Sequence, residues 1–213
     1  MKGTTHLAIG CAIGAVACAY YPFSPNNAAL FFSVAGLSAL SADLDGPSIL
    51  SRKITKLSQW LRNAMLVAGL LLMAGLAYVV VVPGRFDPVY AACAISAFLL
   101  GLVAKKGVIR NAIVSLIGGA LFACGWVYGY AWLSGLGVFV AWAPWLKHRG
   151  MTHTIWALIG WGAIGWGLEQ QSGVEGVTAV AIAGYASHLL TDTMTPSGVK
   201  WLYPLYKKPI KLR

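Results

Sequence analysis

Side chains able to ligate a metal or move a proton are few in this chain, and their spacing is informative. There are four histidines, His6, His148, His153 and His188, and six acids, Asp43, Asp45, Asp87, Glu169, Glu175 and Asp192. His188 and Asp192 stand at i and i+4 in ASHLLTD. On a helix that spacing puts both on one face, within reach of one ion. Asp43 and Asp45 form a DxDGP turn, and a helix end of that polarity repels negative charge. Two carboxylates there call for a cation and suit a bridging metal pair. The run KHRGMTHT at 147–154 packs two imidazoles, a guanidinium and two hydroxyls around Gly150. The freedom of Gly150 is expected to bring His148 and His153 to one centre, and Thr152 or Thr154 to cap the helix that follows. Each pattern also has a plainer reading: a helix-end histidine paired with its own carboxylate, a polar helix stop, a basic connecting loop. His6, close to the N-terminus, says little by itself.

Taken together the plainer readings are costly, because ionisable groups near a membrane core are expensive unless paired and usually mark function. Imidazole and carboxylate ligands suit zinc, manganese or ferrous iron better than magnesium alone. One catalytic zinc uses three protein ligands and a water. The surplus therefore points to two divalent ions, zinc or manganese, sharing an aspartate. The expected metal residues are Asp43, Asp45, His148, His153, His188 and Asp192, with His6 either a further ligand or a partner behind one. Arg149 is always protonated and so is no ligand. It is expected to stabilise negative charge on substrate oxygens, beside Asp45 and His148 as catalytic residues, while Lys147 attracts an anionic head group.

The elements that must hold these residues follow from composition. Of the 213 residues, 58% are hydrophobic and 10% charged, against ~25% charged in ordinary soluble domains. That excludes a soluble enzyme, a disordered tail and a disulfide scaffold. It predicts an all-α, polytopic membrane bundle in a single domain over 1–213. Eight apolar runs are legible, at 5–21, 27–42, 64–82, 88–104, 108–126, 130–146, 154–168 and 174–192. The stretch 111–145 carries no charge and is too long for one span, and Gly125, Gly129 and Gly135 offer a place to turn. With eight spans and both termini cytoplasmic, the inside segments hold Lys2, then Arg52, Lys53, Lys56 and Arg62. They also hold Lys105, Lys106 and Arg110, then Lys147 and Arg149, then Lys200, Lys207, Lys208, Lys211 and Arg213. Only Arg85 of the sixteen basic residues stays outside. All four histidines, with Asp43, Asp45 and Asp192, then fall at the cytoplasmic ends of spans. Asp87, Glu169 and Glu175 fall in outside loops.

The connection 43–63 has Leu50, Ile54, Leu57 and Leu61 at helical spacing among basic residues. It reads as an interfacial amphipathic helix or as a solvated loop. Cys11, Cys18, Cys93 and Cys124 lie in apolar runs without a CxxC pair, as core or lipid-facing side chains. The basic clusters are topology signals without an aromatic-basic stripe, so no nucleic-acid partner is expected. The first run has the look of a short signal sequence, but His6 at its start marks it as a retained span.

The runs THLAIG at 5–10, SADLDGP at 41–47, HRGMTHT at 148–154 and ASHLLTDTMTPSG at 186–198 resemble the YdjM-type membrane-bound metal-dependent hydrolases. They stand in the family order across the whole chain. By this resemblance His6, Asp43, Asp45, His148, His153, His188 and Asp192 correspond to the family's metal and active-site positions. The resemblance implies an inner-membrane hydrolase and leaves its substrate open. The expectation is a cytoplasm-facing site that uses metal-activated water on a phospholipid or another lipid phosphoester. A divalent-metal transporter and a purely structural metal site are the alternatives.

Overall fold

The computed structural model describes residues 2–46, 48–82 and 84–212, without the side chain of Lys106. Pro47 of the DxDGP turn and Arg213 of the basic tail lie outside the described residues. Among those described there are eight α helices: α1 (Gly3–Tyr20), α2 (Pro25–Ser41), α3 (Arg52–Val81), α4 (Pro88–Val103), α5 (Lys106–Tyr128), α6 (Ala131–Trp142), α7 (Ile155–Ser172) and α8 (Val177–Thr193). Short 3-10 turns follow α2 (Ala42–Asp45) and precede α7 (Met151–His153). The fold is all-α, and each expected apolar run is a helix. Among the described residues four segments are long and apolar enough to cross a membrane: Gly3–Tyr20, Pro25–Asp45, Arg52–Val81 and Gly107–Tyr128. Pro88–Val103 and Ala131–Trp145 are apolar but shorter.

Local chemistry accounts for the helix starts. Ser24 caps α2, its Oγ accepting from Asn27 N at 3.0 Å with Pro25 in the first turn. Asp87 caps α4 through the backbone N–H groups of Val89 and Tyr90. Glu169 Oε2 accepts from Thr178 N at 2.7 Å and satisfies the start of α8. Two of the acids expected merely to be solvated in outer loops thus serve helix N-termini. The charge-free stretch turns at Gly129, where φ is +73°; Gly125 and Gly135 lie inside α5 and α6.

The chain divides into two compact units. One is Arg52–Ile113, the hairpin of α3 and α4 with the start of α5. Residues 52–63, the basic part of the 43–63 connection, are the opening turns of the continuous 30-residue helix α3, and 42–45 is a 3-10 turn, so among the described residues no helix of 43–63 stands apart from α3. The apolar periodicity at 50–61 was real, but no glycine or proline separates it from the run at 64–82, so one helix propagates through both.

The other unit comprises residues 1–51 and 114–213. In it α1 and α2 pair, α2 and α7 pack on α8, α1 also touches α8, and α6 lies on α7. The core is Ala17, Phe31, Val34, Ala35, Trp161, Val180, Ala181, Tyr185 and Leu189. Small side chains let α2 and α8 come close, as in membrane helix packing. The buried polar ends are matched: Trp161 Nε1 donates to Ser38 Oγ at 2.8 Å, and Tyr185 Oη donates to the Thr152 carbonyl. The start of α1, the end of α2, the start of α7 and the end of α8 meet at one end of this unit.

Candidate metal centre

Every residue expected at the metal site comes from that end. His6 sits in the first turn of α1, and Asp43 and Asp45 in the 3-10 turn after α2. His148 lies in the loop after α6, His153 in the turn before α7, and His188 and Asp192 in the last turns of α8. His6, Asp45, His153, His188 and Asp192 are buried. Among the described residues three overlapping groups place possible ligand atoms within 4.8 Å of one another: His6, Asp43 and His188; His153, His188 and Asp192; Asp43, Asp45 and His148. All seven residues are used, and Asp43 and His188 each belong to two groups.

Hydrogen bonding orients three imidazoles the same way. His188 Nδ1 lies 2.7 Å from the Ala39 carbonyl, which only accepts, so Nδ1 carries the proton. Thr152 Oγ1 donates to Asp45 Oδ2 at 2.7 Å and then accepts from His153 Nδ1 at 3.0 Å. Thr191 Oγ1 donates to backbone carbonyls of its own helix and accepts from His6 Nδ1 at 3.2 Å. Each Nε2 is left with a lone pair, the form a metal requires. His153 Nε2 and His188 Nε2 are buried without a hydrogen-bond partner. An unpaired buried acceptor costs ~1–3 kcal/mol.

Carboxylates face these nitrogens. Asp43 Oδ1 is 3.6 Å from His188 Nε2 and 3.8 Å from His153 Nε2. Asp192 Oδ2 is 3.7 Å from His153 Nε2 and 3.9 Å from His188 Nε2, and its Oδ1 is 3.6 Å from His6 Nε2. Those gaps exceed a hydrogen bond. They approach the ~3.3–3.5 Å between neighbouring ligands of a tetrahedral ion at ~2.0–2.1 Å. The residues present therefore fit a divalent metal. His153, His188, Asp43 and Asp192 would hold it, with His6 stacked on His188 at a ring separation of 3.9 Å.

Asp45 stands apart. Its Oδ1 meets His148 Nδ1 at 2.7 Å, and its Oδ2 accepts from Arg149 N at 3.0 Å and from Thr152 Oγ1. Both oxygens are already engaged in fastening the 148–153 loop to the end of α2. His148 is half exposed, and its hydrogen bond to Asp45 raises the imidazole pKa above the ordinary histidine value.

Arg149 is also more deeply engaged than its spacing suggested. Its Nη2 pairs with Asp192 Oδ2 at 2.9 Å, and its Nη1 donates to Thr195 Oγ1 and the Gly198 carbonyl, both at 3.1 Å. These bonds use three of the five guanidinium donors. Gly150 lies outside the usual helical and extended regions, with ψ −126°, and its neighbour is left-handed. Arg149 has φ +58° and Gly150 −94°. Gly150 is needed for closeness, since a Cβ there would lie 2.6 Å from the Lys147 carbonyl. Thr154, not Thr152, caps α7, accepting from Ala157 N at 3.3 Å. Thr191, Thr195 and the Ala39 carbonyl had no assigned role in the sequence, and Thr152 only that of a possible cap. The threonines lie within or beside the quoted motifs, whereas nothing in the sequence marks a backbone carbonyl.

No curated protein and no solved structure matches the chain. The family described as YdjM inner membrane protein matches residues 1–213. A helical chain with long apolar spans, matched from end to end, belongs to the YdjM inner membrane protein family, and its place is the inner membrane.

Proposed function

We propose that this protein is a metal-dependent hydrolase of the inner membrane that cleaves a phospholipid or another lipid phosphoester at the cytoplasmic face. The observation that carries the reading is the pair of buried, partnerless Nε2 atoms of His153 and His188, facing the Asp43 and Asp192 carboxylates. Two divalent ions, zinc or manganese, would be held by His6, Asp43, His153, His188 and Asp192, more ligands than one ion takes. Bound there, a divalent ion would supply an activated water and polarise a phosphoryl or carbonyl oxygen.

The chain's own residues do the rest. Asp45 holds His148 by Nδ1, leaving Nε2 at the exposed edge to take up and return a proton. Arg149 is anchored by Asp192, Thr195 and Gly198, and turns its remaining donors to negative charge on substrate oxygens. Lys147 and the basic residues of the same membrane face attract an anionic head group. The metal-ligand groups found among the described residues all lie at one helix end, which favours surface chemistry over passage across the bilayer. Arg149 and the surplus of ligands over four favour catalysis over a closed structural site.

Elemental analysis of purified protein, paired with release assays on phospholipid, ester and peptide panels, tests this reading. The expected result is two metals per chain and chelator-sensitive release from a lipid phosphoester. A metal-free protein, or one inert on every panel, overturns it.

A further inference from the structure

Between α6 and α7 lies a cavity of about 580 Å³, within the ~300–1,000 Å³ range of small-molecule sites. Among the described residues of its wall, Thr152 and the tryptophans alone carry a side-chain hydrogen-bond donor. Trp142 and Trp156 line it near the metal centre, and Trp132 and Trp166 line the opposite end. The helices run antiparallel, which a close approach of Gly167 on α7 to Trp132 on α6 confirms. From Ala131 to Ala143 the wall extends about 18 Å at 1.5 Å per residue, close to the ~15 Å of half a bilayer core. Val138, Trp142, Trp156 and Trp166 are exposed, so the groove opens sideways.

Its inner end is the catalytic loop itself. Leu146 and Met151, both in the wall, bracket Lys147, His148 and Arg149. Thr152, in the wall too, is the hydroxyl that joins Asp45 to His153. A molecule with a charged head at this loop and an alkyl tail in the groove would satisfy both surfaces at once.

We propose that the α6–α7 groove is the acyl-chain site of the substrate: one fatty chain of an anionic lipid lies along it and sets the head group beside His148 and Arg149. The inference rests on the lipid-hydrolase reading and names the part of the molecule that recognises the tail. Gly160 offers a clean probe, because it lines the groove and a Cβ there meets nothing within 4 Å.

The test uses the full chain, metal-loaded, in phosphatidylglycerol vesicles doped with a phosphatidic acid bearing a diazirine at the end of one acyl chain. After photolysis, label on 131–143 and 156–167 should exceed, several-fold, label on exposed α5 positions such as Leu116 and Val127. Gly160→Phe should bring the excess down to the α5 level with metal content per chain unchanged. If that variant loses its metal, Val138→Trp fills the groove from the facing helix and is read the same way. Equal labelling of α5 and the groove, meaning bulk lipid only, overturns the proposal. So does excess label that persists in a metal-replete, groove-filled variant. Labelling does not depend on turnover, so specific label without hydrolysis would sink the enzymatic reading and leave the chain site standing.

Discussion

At the residue scale, the centre separates atoms aimed inward from atoms that aim them. His153 and His188 present Nε2 to Asp43 and Asp192, while Thr152, the Ala39 carbonyl and Asp45 hold the other sides of the rings. Thr152→Val keeps the shape and removes the hydroxyl that joins Asp45 to His153. We expect it to lower metal affinity ~10–100-fold, the usual cost of an outer contact, with the fold retained; competition with a fluorescent chelator measures this. His188→Ala and Asp192→Ala should cost more and abolish turnover. Arg149→Ala should keep its metal, since it removes a competing cation from Asp192, yet lose turnover. Arg149→Lys should rescue poorly, because an ammonium lacks the planar fork that reaches Asp192, Thr195 and Gly198 together. Full activity in Arg149→Ala would remove that residue from the chemistry. The raised pKa of His148 has a defined sign. In metal-free protein its bond to Asp45 stabilises the fold below the ordinary histidine pKa and fades as pH rises through the raised value. Where His148 must be neutral to serve the site, metal binding and turnover should weaken as pH falls through that raised value. A pH series of metal affinity on the protein and on His148→Gln, which should flatten it, reads this out.

At the element scale, positions depend on where helices begin and end. The continuity of α3 is testable because the alternative, a joint near residue 63, would accept a proline. Asn63→Pro sits inside α3 and should cost about 3 kcal/mol or more through a lost hydrogen bond and a ring clash, seen as an earlier midpoint in denaturing-detergent titration. Unchanged stability would restore a break between an interfacial segment and the span. Thr154 anchors the start of α7 just after His153, and Thr154→Ala should cost about 1 kcal/mol. Because the cap sets the direction in which α7 leaves the loop, metal affinity should fall with it.

At the scale of the whole molecule, the distribution of charge predicts an orientation. A reporter fused after residue 213 should read cytoplasmic, and reporters inserted near Arg85 or Glu169 should read external. Arg85 precedes α4 and Glu169 stands near the end of α7. A cytoplasmic signal at residue 85 would break the eight-span arrangement. The unit that holds the candidate metal centre is assembled from residues 1–51 and 114–213, with 52–113 forming a compact unit of its own.

Much of this was legible before any folding was considered. Hydrocarbon demands long apolar runs and penalises stray charge, so the eight helices and the seven site residues stand out against a background with few rivals. Motifs such as HRGMTHT and HLLTD keep the candidate residues visible in the chain, but each group of possible ligand atoms is gathered from distant elements. The identity of the ring atom each histidine offers was not legible. That depends on hydroxyls and a carbonyl brought up from other helices, such as Ala39 against His188, 149 residues apart. Nor could spacing show that Asp45 spends both oxygens on a loop more than one hundred residues away while Asp43, two positions earlier, faces the imidazoles. Adjacent carboxylates are equivalent in a sequence. Only the packing of α2 against α8 and the 148–153 loop makes them different, because it decides which one meets donors and which one meets lone pairs.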